Sequence, residues 1–305
     1  MIFSKKYLYI PCFALALGAC MQSMPAGDGR PGLYDSEDFK QYWYAGKAEV
    51  NAYNLDQSRY GENRQGKAML IFVTEGFSKK KQVKLDDPQA AGSDNVAVMK
   101  MNYTKNFVTG IYPYSMMVST FTPISRNQMP HTLKVTMTSQ EWCGHVFSQI
   151  NLNKSRYNVS SYSYFEQEGD AHFTTEKILL EDELMNLIRV DSENIPVGKI
   201  QMLPGLFFTR LKHDNLKPQE VVLTKENVPG ETHYIVDFPE RKLTIRAQES
   251  FPHKILGWEE EFTERGETYH TKAVLDKTLY TDYWRKNKNE FLPLRDSLGL
   301  SPINF

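Results

Sequence analysis

Along most of this chain apolar residues recur at every second position, the period at which successive side chains of a pleated strand face opposite ways. Ala48, Val50 and Ala52 alternate with Lys47, Glu49 and Asn51. Leu133, Val135 and Met137 alternate with Lys134, Thr136 and Thr138, and Leu243, Ile245 and Ala247 with Lys242, Thr244 and Arg246. Each apolar set predicts a core-facing side and each polar set a solvated one. Residues 68–74 are apolar on both faces, which predicts a central strand. Further strands are expected over 96–103, 110–122, 157–165, 206–211, 220–224, 233–238, 254–262 and 268–275, with turn residues between nearly all of them.

One stretch departs from that period. At about 175–189, Leu180, Leu184, Leu187 and Ile188 fall on a helical stripe, Thr174 or Thr175 is suited to cap it, and Glu176 lies in its first turn. The residues 191–196 end it. Many antiparallel strands and one helix predict a mainly β fold, a curved antiparallel sheet or incomplete barrel packed on the helix. No internal repeat is visible, so 33–305 reads as one β-rich domain.

The first residues have another character. Lys5 and Lys6 precede an apolar run, 7–17, which is too short to cross a hydrocarbon core at ~20 residues per helical span. Leu17-Gly18-Ala19-Cys20 then fits the bacterial lipobox, in which small residues admit the peptidase and the thiol carries the lipid. Residues 1–19 are therefore expected to be a signal peptide, Cys20 the lipidation site, and 20–32, short and rich in Gly and Pro, a flexible tether. Acyl chains on Cys20 supply stable membrane attachment. Met21 stands where an Asp would signal inner-membrane retention, and no acidic cluster follows. The expected location is the outer membrane, facing the periplasm.

Composition adds constraints. Removal of Lys5 and Lys6 takes a chain of net charge −1 two units more negative, with no basic run, which gives no reason to expect nucleic acid as a partner. Past Cys20 the only cysteine is Cys143, so stability must come from a core and not from an internal disulfide. No cofactor or metal site is expected: Cys143 and His145 would need further ligands, and His131 and His172 are the only nearby histidines.

The densest chemistry is Glu141-Trp142-Cys143-Gly144-His145. If the strand from Leu133 runs on unbroken, Glu141, Cys143 and His145 share a face, and a thiol beside an imidazole oriented by Glu141 is the arrangement of a Cys–His hydrolase. Gly144 can bulge the chain and change that facing. A buried Cys143 filling space beside a satisfied His145 explains the same residues and is the commoner arrangement. Arg59, near Tyr60, Gly61 and Glu62, is suited either to clamp an anionic ligand or to pair with Glu62 or Glu75; Trp142 is a candidate ligand contact. Two motifs are decoys. The run 27–32 matches G-x-G-x-x-G with no strand before it and with Pro31 obstructing a helix. The run 61–68 is one residue short of a P-loop and lacks its hydroxyl, so Gly66 is expected in a hairpin turn.

The strings Tyr42-Trp-Tyr-Ala-Gly-Lys-Ala-Glu-Val-Asn51, Arg59-Tyr-Gly-Glu62, Leu70-Ile-Phe-Val-Thr-Glu75, Gly110-Ile-Tyr-Pro-Tyr-Ser115, Gln140-Glu-Trp-Cys-Gly-His145, Tyr283-Trp-Arg285 and Leu292-Pro-Leu-Arg-Asp-Ser297 together resemble a family of lipoproteins of Bacteroidetes-type bacteria, over nearly the whole exported chain. Its members are often labelled "septum formation inhibitor Maf". The Ser-x-Ser-Pro-Arg-Arg motif of the cytosolic Maf pyrophosphatases is absent here, so the resemblance implies an exported lipoprotein and supplies no mechanism. At the level of fold, the tether, curved sheet and covering helix resemble the lipoprotein carriers of the outer-membrane localisation pathway. Fold does not carry function.

The expected function is a lipid-anchored outer-membrane protein whose domain binds an apolar small molecule or an envelope partner beside the helix, the alternative being the Cys143/His145 hydrolase. The anchor is tested first. Cys20→Ser is expected to abolish palmitate labelling and leave the chain unprocessed; continued labelling of that variant refutes the lipobox.

Overall fold

The computed structural model describes residue 34 and residues 36–300. The signal peptide, the tether, Cys20 and the 27–32 decoy lie outside the described residues. Strands make up 55% and helices 17%, so the fold is mainly β.

A short helix α1 (Glu37–Trp43), with Ser36 Oγ accepting from Phe39 N, leads into eight consecutive strands. These are β1 (Ala48–Arg59), β2 (Glu62–Ser78), β3 (Asn95–Thr109), β4 (Tyr112–Pro123), β5 (Lys134–Glu141), β6 (Gly144–Asn153), β7 (Arg156–Ser163) and β8 (Ala171–Glu176). Each pairs antiparallel with the one before it. The chain then crosses inside the sheet through β9 (Leu179–Leu180) and α2 (Leu184–Asp191). It returns along the other half: β10 (Gly198–Leu203), α3 (Leu206–Lys212), β11 (Gln219–Val228), β12 (Glu231–Asp237), β13 (Arg241–Gln248), β14 (Ile255–Glu264) and β15 (Glu267–Thr281). β15 pairs antiparallel with β1 and fuses the two meanders into one fifteen-stranded sheet, curved and unclosed, with β8 and β9 as its edges. Among the described residues only β9 and β10 pair in parallel. The first strand thus lies at the centre, with α1 packed where it begins, the proximal end. It finishes at the distal end.

α2 lies in the concavity as expected, but it is shorter than the stripe suggested. Thr174 and Thr175 pair with β7 as part of β8, where β-branched residues fit a pleated surface, and Leu180 is in β9. The helix begins only at Leu184, and its residues 184–190 are all buried, including Asn186 and Arg189. Both polar side chains of this enclosed helix find partners, although Asn186 Oδ1 and Arg189 Nε and Nη1 have none among the described residues. Asn186 Nδ2 donates to Met99 O (3.1 Å) and Thr122 Oγ1 (3.0 Å). Arg189 donates to Glu49 Oε2 at 2.7 Å, with both side chains wholly buried, and its guanidinium lies over Trp43 and Phe72.

That pair reverses the expected facing of β1. Glu49 and Asn51, placed by their polarity on a solvated face, point into the main core with Tyr53 and Leu55. Glu49 accepts from Tyr42 and from Asn51 Nδ2 (2.7 Å) as well as from Arg189. Burial pushes its carboxyl upward, but Arg189 and these donors outweigh burial and hold it below the ordinary range. Ala48, Val50 and Ala52 instead pack on the convex side against Met69, Val73 and Leu298, the last from the 3₁₀ segment Asn289–Leu298. A small second core covers the middle of the outer face.

Three further expectations are corrected. Residues 206–211 form α3 and not a strand: Gly205 N donates to Glu181 Oε2 (2.8 Å) and Leu206 N to Asp182 Oδ2 (3.0 Å), which satisfies the first free amides of a helix. A short apolar run leaves strand and buried helix undecided until such partners are known. The β1–β2 turn is Tyr60-Gly61, at φ 56° and 77°, the double positive φ of a tight hairpin, and Gly66 is mid-strand. Gly66 is required there by close approach, because a Cβ would meet Asn106 O at 2.3 Å. The strand from Leu133 stops at Glu141, and residues 144–153 return as β6.

Arg189→Met, which strands the Glu49 carboxylate in the core, is expected to destabilise the domain by about 3–5 kcal/mol in chemical denaturation. The double variant Glu49→Leu/Arg189→Met should recover most of that loss. Additive losses would show that the pair is not coupled.

Candidate functional site

Chain direction alternates from strand to strand, so the β1–β2, β3–β4, β5–β6 and β14–β15 turns all reach the distal end, together with the 164–170 loop and the C-terminus of α3. There α3 stands off from β1, β14 and β15, leaving a cleft of about 420 Å³. Its walls include Phe208 and Leu211 of α3, Phe262 and Tyr269 of β14 and β15, and Arg59 and Tyr60 at the end of β1. Phe262 stacks on Tyr269 (5.5 Å between ring centres) and meets Phe208 edge-on (5.9 Å). The cleft is therefore half aromatic and half charged, within the size range of small-molecule sites.

Arg59 is 8% exposed. One Nη donates to the Leu211 carbonyl in the last turn of α3, and the other reaches the hydroxyls of Tyr60 (3.0 Å) and Tyr114 (3.2 Å). Its guanidinium lies 4.1 Å from the centre of the Tyr60 ring. It pairs with neither expected partner: Glu62 is taken by Arg64, and Glu75 by Lys100 at 3.0 Å at the proximal end of the sheet. Beside it, Glu168 Oε1 binds both Arg210 Nη1 (3.1 Å) and His213 Nδ1 (2.6 Å). His213 caps α3 at φ 53°. Burial lowers the Arg210 guanidinium, Glu168 opposes that, and Arg59 reinforces it by like-charge repulsion.

Deeper on the concave face, Lys105 is buried and donates to Gln57 Oε1 at 3.0 Å, while Gln57 Nε2 donates to Thr271 Oγ1. Burial drives the Lys105 ammonium below the ordinary lysine range, with Glu260 and Glu181 opposing. Arg241 bridges Glu181 and Glu260 (2.8 Å to Glu260), so these carboxylates are already engaged. Burial, with Glu181 adjacent, raises the Asp182 carboxyl to about 7.

The cluster read from sequence is separated by the β5–β6 hairpin. Trp142 and Cys143 form its turn, Glu141 pairs with Gly144, and His145 pairs with Gln140. Glu141 faces inward and His145 outward, so thiol, imidazole and carboxylate share no face. Cys143 is exposed, which overturns the expectation of a space-filling core cysteine. Glu141 Oε2 accepts from the Cys143 backbone N–H at 2.6 Å, and this neighbouring carboxylate raises the thiol's pKa, the opposite of nucleophile activation. Trp142 is 69% exposed and reaches the site through Tyr112 (6.4 Å between ring centres), which lies 5.9 Å from Tyr114. Of the sequence candidates the structure therefore gathers Arg59, Glu141, Trp142 and Cys143 at one end, places His145 at that end but on the outer face, and leaves out Glu75. It adds Glu168, Arg210, His213 and Lys105, which carried no local motif. Among the described residues no group of three His, Cys, Asp or Glu is placed to hold a metal, and no helix is long and apolar enough to cross a membrane.

Iodoacetamide is expected to modify Cys143 in the folded protein, more slowly at neutral pH than a free cysteine. Glu141→Gln should accelerate it by lowering the thiol pKa. Protection of Cys143 from reagent, or an unchanged rate in the variant, contradicts the hairpin-turn placement.

No family profile matches the sequence, and neither a curated protein nor a solved structure is detectably similar to it.

Proposed function

We propose that this chain is an outer-membrane lipoprotein, anchored through Cys20, whose β-domain is a non-catalytic receptor for a small amphipathic molecule. The observation that carries this reading is the distal cleft. The concave face around α2 is filled by the helix and its neighbours, and the cleft beside α3 is walled by Phe208, Phe262, Tyr269 and Leu211 on one part and by Arg59, Lys212 and Arg265 on another. A purely apolar pocket beside α2, as the sequence suggested, would need room that Leu187, Ile188, Met99 and Val118 occupy.

The polarity of the molecule supports the same reading. The tether leads into α1, which packs at the proximal end: Thr74 Oγ1 donates to Trp43 O, and Tyr42 stacks on Tyr280. The cleft is at the other end, so a domain held by its N-terminal lipid presents the cleft away from its own membrane. The distal rim also exposes Ile111 (81%) and Trp142 beside the cleft's neighbours, giving an amphipathic molecule an apolar approach.

Titration of the domain with the neutral probe N-phenyl-1-naphthylamine is expected to show one saturable site. Tyr269→Ala, at a half-buried cleft wall, should weaken it by about tenfold through lost aromatic contact with the thermal transition retained. Absence of saturable binding, together with native mass spectra free of any co-purified small molecule, removes the receptor reading.

A further inference from the structure

We infer that Arg59 receives the anionic head of the ligand, an oxyanion such as a carboxylate or phosphate carried on an apolar body. This assignment rests on the cleft being the binding site proposed above. The argument is one of charge accounting in a largely dehydrated place. The two carboxylates that line the cleft, and Glu168 beside it, are already matched to cations: Glu264 to Lys212, Glu260 with Glu181 to Arg241, and Glu168 to Arg210 and His213. Arg59 is matched to none. Among the described residues it has no carboxylate within salt-bridge reach, and its neighbours are neutral hydroxyls, a carbonyl and the Nε2 of His213 at 3.5 Å. Its Nε is buried without a hydrogen-bond partner.

A buried guanidinium without a counter-anion is costly, and one left with an unused donor more so. Capping the C-terminus of α3 offsets part of that cost, since the Leu211 carbonyl lies at the negative end of the helix. It takes one hydrogen of one Nη and leaves that group's second hydrogen and the Nε–H. The Tyr60 and Tyr114 hydroxyls, 2.9 Å apart, hold the second Nη in a fixed plane, and the Tyr60 ring stacks on the guanidinium. A planar, preoriented fork is the group that suits the two oxygens of a carboxylate or phosphate. Arg265, exposed across the mouth and without an ion pair among the described residues, adds a second positive charge to the path inward. Phe208, Phe262 and Tyr269 then face the apolar body behind the head, so the ligand class is a monoanionic or dianionic amphiphile.

The test uses the full mature domain and four ten-carbon probes below their micelle concentrations: decanoate, decyl phosphate, decanol and decyltrimethylammonium, titrated calorimetrically. The two anions are expected to bind at least tenfold more tightly than decanol, with the cation weakest, and the ranking of carboxylate against phosphate identifies the head. Arg59→Met should reduce the anion affinity by about tenfold to hundredfold, the weight of a charge-assisted hydrogen-bonding pair, and leave decanol unchanged. Arg59→Lys, which keeps the charge without the fork, should fall between. Because Arg59 also holds α3, the wild-type ranking decides even where Arg59→Met does not fold. Equal binding of all four probes overturns the anion assignment and leaves the cleft standing; binding of none removes the cleft, and this inference with it.

Discussion

The buried ion pair between Glu49 and Arg189 is the constraint around which the sheet is arranged. It ties the strand at the sheet's centre to the helix inside the concavity, and it does so where neither group meets water. Two such charges are tolerated here because they match each other and the carboxylate's remaining hydrogen-bonding capacity is filled, while Arg189 Nε and Nη1 have no hydrogen-bond partner among the described residues. Tyr42 and Asn51 fill the carboxylate, Thr278 holds Asn51 by donating to its Oδ1 (2.8 Å), and Trp43 and Phe72 cover the guanidinium faces. Those residues come from α1, β1, β2 and β15. One polar contact therefore fixes the junction of the two meanders, the seat of the N-terminal helix and the placing of α2 together.

The same logic extends along the crossover. Three consecutive acids, Glu181, Asp182 and Glu183, each hold a different part of the structure. Glu181 binds Arg241 of β13, Asp182 starts α3, and Glu183 accepts from Thr132 Oγ1 at 2.5 Å and from Leu180 N at 3.0 Å. A crossover so bonded has one position across the concave face, and it fills that face up to the distal cleft. The core of a curved sheet this wide would otherwise be too broad for one short helix to cover.

The strand pattern is largely legible in the sequence, because alternation is imposed locally by the pleat. Residues 134–138 and 242–247 face as their polarity indicates, whereas Leu133, just before β5, leaves the row of Val135 and Met137 and packs with Phe77 and Val98. β1 departs for an instructive reason. Its alternation is plain but its facing is inverted, since Glu49 and Asn51 face inward only because Arg189, 140 residues later, needs them. No local pattern contains that partner. The misreading of α3 as a strand has the same origin, as the acids that stabilise its first turn lie 24 residues upstream. Arg59 is visible as a residue suited to anions, but its isolation from carboxylates depends on pairings made elsewhere, by Arg64 and Lys100. Cys143 and His145 look joined only while the two residues that make a turn are taken as a continuing strand.

The near-P-loop run 61–68 gains a different meaning from this architecture. Gly66 and Ala68 lie on the concave face of β2, opposite Leu55 and Tyr53 on one side and Phe107 and Lys105 on the other. With no bulky side chain at either position, groups on β1 and β3 can meet across the strand between them, and Lys105 reaches Gln57. The inward row of β1 is thus polar at both ends: Glu49, held by Asn51, binds Arg189 of α2 at the proximal end, Gln57 and Arg59 stand at the cleft, and Tyr53 and Leu55 insulate the two. At the proximal end the two buried charges, Glu49 and Arg189, find each other within the chain. At the distal end Arg59, also buried, has no carboxylate partner among the described residues, and it stands beside an aromatic cleft.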